Sequence, residues 1–295
     1  MDWPIDLRDP SYAPMVLGAI AEGNFEHVFV PITIQTGDHT GIFLVSQDAL
    51  KIDGVRINAS AILQQHIADL LGAYLLTPKL LDQMWAQRAV TLIPCTQTIN
   101  STSEGMIQHS KCVDEQLDQA GGVPPGGIVQ TVGKTWVLTN KLLTLANKAV
   151  NMGWYVEKPM AGLPFDAAPT LADAHMIQSP GYSHYPGHLD YSQDVLLVHR
   201  TVTADNQLTD FASVAKSPEL SLLVNPHGVL RVLRQPGVPE LVMPPTSQTA
   251  PPGAPTVALM GIGAGIGARV AGVPGALAGG AVGWVVDAIR RRLLR

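Results

Sequence analysis

At Val257 the chain changes character, and that break limits what the rest can be. Between Val257 and Ile289 the only charges are Arg269 and Asp287, and then comes Arg290-Arg291-Arg292-Leu293-Leu294-Arg295. Five Arg against one Asp give this stretch +4, so in a chain of net charge −5 the remainder carries −9. Gly261, Gly263, Gly265 and Gly267 alternate with apolar residues, and Gly275, Gly279 and Gly283 recur at a spacing of four. Small residues four apart line one helical face and let helix backbones approach closely, as in membrane glycine zippers. Val273-Pro274-Gly275 interrupts the stretch, and neither half reaches the roughly 20 apolar residues of a full span. A kinked span, a short hairpin, an interfacial helix and packing against a protein all fit. Trp284 and the terminal arginines suit an anchor near anionic headgroups. The expected partners of residues 257–295 are a membrane or other copies of the same tail.

Before the tail, Gln235 to Pro255 holds seven prolines and few charges, which describes an extended linker. The expected organisation is a globular domain over 1–234, a linker over 235–256 and a tail over 257–295. Hydrophobic residues at 46% and charged residues at 15% supply a core and exclude intrinsic disorder. The weak charge argues against nucleic acid as a partner. Met1-Asp2-Trp3-Pro4-Ile5-Asp6-Leu7 lacks the basic and apolar regions of a signal peptide, so synthesis in the cytoplasm is expected, with a phage particle or a membrane as destination.

Within the domain the elements are short. Ala13 to Gly23 predicts a helix, and 28–34 with 41–46 a hairpin across Thr36-Gly37-Asp38-His39. Ser60 caps a helix over 61–71 with Ile62, His66, Ile67 and Leu70 on one face. Pro78 opens another helix, in which Lys79 and Asp82 form a surface pair. Strands are expected over 128–132, 134–138 and 153–156, and a helix from Asn140 to Val150. A long loop is expected over 161–183, a buried strand over 195–198, and helical stretches over 208–214 and 218–224. The fold class is α+β, with mixed small sheets, several short helices and a C-terminal glycine-rich apolar helical tail.

Chemistry concentrates in Tyr182-Ser183-His184-Tyr185-Pro186-Gly187-His188-Leu189-Asp190-Tyr191-Ser192-Gln193. In an extended segment His188 and Asp190 share a face. Three readings fit. His184, His188 and Asp190 could hold a divalent metal such as zinc, completed by His109 or His175. His188 could be a base oriented by Asp190, serving Cys112 or Cys95 as nucleophile. Or His188 and Asp190 pair to close a loop, with Tyr191 and Ser192 satisfying buried backbone. Lys134 beside Trp136 is expected as a solvated strand lysine.

Several short runs together carry a resemblance. They are Gly23-Asn24, Asp48-Ala49-Leu50-Lys51-Ile52, Gln65-His66-Ile67-Ala68-Asp69-Leu70-Leu71-Gly72, and Leu76-Thr77-Pro78-Lys79-Leu80-Leu81-Asp82. Gln108-His109, Thr139-Asn140-Lys141-Leu142, Gly153-Trp154 and His188-Leu189-Asp190-Tyr191-Ser192-Gln193 follow. Over about Ala13 to Gln235 the chain resembles an uncharacterised family of bacterial and phage proteins with no established activity. The resemblance implies kinship rather than mechanism. Its shared pattern favours His109, Lys79, His188, Asp190, Tyr191 and Ser192 as the site, and the cysteines and the tail lie outside it.

The expected function is a cell-envelope hydrolase of phage or bacterial origin acting on peptidoglycan, with a membrane-interacting tail. The alternative is a non-enzymatic virion, structural or host-contact protein whose tail mediates assembly or insertion. Convergence of His109, His188 and Asp190 in one cleft separates the two.

Overall fold

The computed structural model describes residues 1–157, 168–171 and 174–241. The glycine-rich tail, with its expected helical character, and the linker beyond 241 lie outside the described residues. The fold is a mixed α+β arrangement of several small sheets and short helices.

The elements run α1 (Tyr12–Ala21), β1 (Phe29–Thr36), β2 (His39–Ser46), β3 (Lys51–Ile52), β4 (Val55–Arg56), α2 (Ala61–Leu70), β5 (Ala73–Leu75) and α3 (Pro78–Ala86). Then come β6 (Val90–Thr91), α4 (Ser103–Gln119), β7 (Val129–Gln130), β8 (Lys134–Val137) and β9 (Val150–Glu157). The last are β10 (Ala168–Leu171), β11 (Ala174–Gly181), β12 (Leu197–His199), β13 (Thr201–Ala204), β14 (Gln207–Asp210) and α5 (Phe211–Lys216).

The largest sheet has the order β14-β13-β2-β12-β5, with β1 paired along β2. The β1–β2 turn falls at Gly37-Asp38, as the sequence predicts. Ser46 fastens β2 to β12: its hydroxyl accepts the Leu197 N–H at 2.7 Å. A second sheet has the order β10-β11-β9-β8, and the pair β6-β7 is parallel.

Side-chain caps start most of the helices. Ser60 accepts from Leu63 N–H, Thr77 from Leu80 N–H and Thr102 from Gly105 N–H. Each such cap is worth about 1 kcal/mol. Pro78 occupies the first turn of α3, where its missing N–H costs nothing. In α2 the buried face is Leu63, Gln64, Ile67 and Ala68; Ile62, expected inside, is exposed. Gln64 takes the inward position because it bolts three elements together. Its amide donates to Leu196 O and Thr135 Oγ1, both at 3.0 Å, and accepts the Trp136 N–H.

Trp85, Trp136 and Tyr155 are fully buried. Removing side chains of this size from water stabilises the fold by roughly 2–3 kcal/mol each. Trp136 Nε1 donates to Ala59 O at 2.8 Å, and Trp85 stacks on Tyr155.

Several expectations are corrected. Lys79 and Asp82 do not pair: Lys79 Nζ donates to Thr36 Oγ1 and Leu222 O, and Asp82 accepts the Tyr155 hydroxyl. Thr139 caps only a single 3₁₀ turn, Asn140–Leu143, because the chain must enter β9 by Val150. The expected loop over 161–183 contains the β10–β11 hairpin. Leu208 lies in a strand, and α5 begins only after Asp210. At the expected start of the linker the chain is still tied to α2. Gln235 N–H donates to Gln65, Arg234 pairs with Asp69, and Leu241 N–H donates to Asp69.

Candidate functional site

The 184–194 segment crosses the edge of β8. Lys134 N–H donates to Ser192 O at 2.7 Å and Asp194 N–H donates to Lys134 O at 2.7 Å. This close approach requires Gly133, where a Cβ would meet Asp194 Oδ2 at 2.5 Å and Ser192 O at 2.8 Å. It also requires Gly153 opposite Lys134 on β9, where a Cβ would come within 2.6 Å of Gly133 O. The next residue, Trp154, sits in the left-handed region at φ +54°, which a bulky side chain occupies only under strain.

Asp190 is the hub. Its Oδ1 accepts the Ser192 N–H at 2.9 Å and the Ser192 hydroxyl at 2.6 Å. Its Oδ2 lies 3.3 Å from Lys134 Nζ and 3.5 Å from His188 Nε2. The carboxyl is buried, which works against its charge, but His188, Lys134 and the Ser192 donors outweigh burial and hold it well below the usual carboxylate range. His188 and Asp190 therefore meet, through a turn rather than along a strand. Lys134 is not the solvated lysine expected: its side chain is 12% exposed and lies over the Trp154 ring.

His184 stacks face to face on His188, ring centroids 4.1 Å apart and planes 16° from parallel. Stacked rings point their nitrogen lone pairs side by side rather than at one centre. Among the described residues no three His, Cys, Asp or Glu side chains are grouped as a metal-binding set, so the His184–His188–Asp190 zinc reading is not met by this geometry. His175 lies on β11, opposite Val156.

His109 projects from α4 into a buried position. Its Nδ1 is 3.9 Å from Asp194 Oδ1, and its ring meets Tyr191 edge-on. Neither ring nitrogen has a hydrogen-bond partner within the protein, nor does Asp194 Oδ2. Burial, with Arg56 adding to it, pushes the His109 imidazole down to about 4. Burial pushes Asp194 well above the usual carboxylate range. Both groups are thereby driven toward their neutral forms. Asn58 donates to Asp194 Oδ1 at 2.8 Å.

The cysteines are corrected too. Cys95 and Cys112 form a disulfide, so neither is a nucleophile, and no free cysteine exists. Ser192 is buried and its hydroxyl is committed to Asp190. Tyr191 bonds through its hydroxyl to the backbone of Gln97. Lys79 makes its contacts at Thr36 and Leu222, outside this cluster. A cleft of about 150 Å³ lined by Glu26, His27, Gln47, Asp48 and Lys51 includes none of the candidate site residues, though it takes in part of the Asp48–Ile52 run.

Sequence reasoning missed Asp194, Asn58 and Arg56. Arg56 is fully buried and makes paired bonds to Asp48 and a third to Asp114. Burial opposes its charge, and the two carboxylates more than restore it. The sequence signal for this cluster was the run Asp190 to Asp194 itself, whose polar residues are too dense for an ordinary approach to a buried strand.

No protein-family model, no curated protein and no solved structure matches this chain.

Proposed function

We propose that the chain is a non-enzymatic envelope-contact or structural protein of a phage or bacterium. The observation that carries this reading is the saturation of Asp190. Both of its oxygens are held by groups of the same chain, in the pattern of a loop latch rather than of a carboxylate awaiting substrate. His109, expected to converge with His188 and Asp190, is buried and hydrogen-bonded to neither. The sulfur nucleophiles are consumed in a disulfide. A disulfide also fits a protein that reaches an oxidising compartment after synthesis. The basic, glycine-rich residues 257–295 would then supply membrane contact or self-association.

One observation favours the hydrolase as a second reading. His188 is partly exposed beside Asp190, as a carboxylate-oriented base would be. The test is incubation of the full-length protein with purified peptidoglycan sacculi, scoring co-sedimentation and, by mass spectrometry, released fragments. Binding without release is expected. Defined fragments that disappear in His188→Ala would replace this reading with the hydrolase.

A further inference from the structure

The face outside the Asp190 latch has an unusual make-up for an acidic chain. Lys141 Nζ sits 4.4 Å over the Tyr182 ring. Lys148 Nζ donates to Ser183 O at 2.8 Å, and the neighbouring Ala149 N–H donates to His184 O. Arg231 adjoins Lys141 through Asn140, whose side chain accepts the Arg231 N–H at 2.7 Å. Tyr185 is 52% exposed and packs edge-on to His188. These contacts gather Lys141 and Lys148 around residues 182–185, with the exposed Arg231 next to Asn140.

Its electrostatics are one-sided. Among the described residues, none of Lys141, Lys148 and Arg231 is within ion-pair distance of a carboxylate. Asp190, beside His188, is already held by Lys134 and His188. Three cations without counter-ions stand on a chain of net charge −5. Such a patch attracts anions locally while the rest of the molecule repels them. Between the cations lie flat rings with polar edges, which present an apolar face and a hydrogen-bonding rim.

We propose that the Lys141–Lys148–Arg231 face, with Tyr182, His184 and Tyr185, docks a polyanionic envelope glycan, a sugar polymer bearing phosphodiester groups. This rests on the envelope-contact reading and names its partner. The rings suit sugar faces and the separated cations suit charges spaced along a glycan. A duplex, with its dense phosphates, calls for a longer basic stripe.

The test uses full-length protein and sacculi carrying their phosphodiester polymer, against the same sacculi stripped with hydrofluoric acid. The variants are Lys141→Glu/Lys148→Glu and Tyr185→Ala, with Lys111→Glu as a control outside the face. All four side chains are exposed or half-buried, and circular dichroism checks the fold. Expected are binding to intact sacculi, a loss of about tenfold on stripping or charge reversal, a smaller loss for Tyr185→Ala, no loss for Lys111→Glu, and weakening by salt. Equal binding to stripped sacculi, or full binding by the charge-reversed variant, would overturn the glycan assignment while leaving envelope contact standing. Competition by duplex DNA as strong as by the soluble polyanion would overturn it in favour of nucleic acid. Binding to neither kind of sacculus would remove both readings.

Discussion

The Tyr191 hydroxyl holds Gln97 by both of its backbone groups, accepting the N–H at 2.8 Å and donating to the carbonyl at 3.1 Å. Tyr191 N–H also donates to Asn100 O, and the Gln116 amide brackets Ile93 in the same two-handed way. With the Cys95–Cys112 bond, these contacts strap residues 93–100 across α4 and the Asp190 loop. Tyr191→Phe leaves a part-buried N–H and carbonyl without their partner, and is expected to cost about 1 kcal/mol in urea unfolding. Reduction of the disulfide, or Cys95→Ser/Cys112→Ser, is expected to cost about 3 kcal/mol for a loop of this length. Hydrogen exchange should then rise first at residues 93–100. Unchanged protection there would contradict the strap.

Lys134 is the nearest full positive charge to Asp190. Lys134→Met leaves a buried carboxylate short of its cation and is expected to destabilise by about 3 kcal/mol. Adding Asp190→Asn to that variant removes the stranded charge and should restore part of the loss. A double variant less stable than Lys134→Met by the full cost of Asp190→Asn alone would show that the two residues are not coupled.

The buried acids give opposite pH signatures. Asp190 has a depressed folded pKa, so its contribution is present above its unfolded value near 4 and is lost as pH falls further. Asp82, raised to about 6 by burial, contributes fully below about 4 and loses that contribution as pH rises through 6. Asp194 is raised further and acts in the same sense. Asp82→Asn and Asp194→Asn should therefore raise the Tm at pH 7 relative to wild type, and by less at pH 4. A Tm gain larger at pH 4 than at pH 7 would refute this sign.

Gly133→Ala tests the approach of β8 to the latch. Its methyl would lie 2.5 Å from Asp194 Oδ2, so either the carboxyl or the strand must move. A loss of about 1–3 kcal/mol is expected by differential scanning calorimetry, with no loss for Gly18→Ala in α1, where an added Cβ meets nothing within 4 Å. Equal costs at both positions would argue against the close approach.

Local chemistry made part of this structure legible. Ser60, Thr77-Pro78 and the Gly37-Asp38 turn mark their elements through short-range bonds, and the elements appear where expected. What distant contacts decide was less visible. No element is expected from the sequence over α4, the longest helix among the described residues, although Met106, Ser110, Val113 and Leu117 sit at helical spacing and are buried. The intervening charges and a mostly polar surface hid that stripe. The helix predicted over 140–150 had acceptable residues, but the pairing of Val150 with Val137 claims its end for a strand. His188 and Asp190 were picked correctly as neighbours, yet nothing near them in sequence announces Lys134, 56 residues away, as their partner. The cysteines were weighed as nucleophiles because their spacing alone does not show that α4 brings them together.

The central sheet also fixes an order of events. β12 is wedged between β2 and β5, so Ser46 meets Leu197 across 151 positions of chain. While the protein is being made, β2 can pair with β1 but keeps its other edge bare until the residues around Leu197 have emerged. Until then that edge is a template for any extended strand nearby. A late-arriving closing strand makes the nascent chain, rather than the finished molecule, the stage most exposed to misassembly, and the natural point for a folding assistant to act.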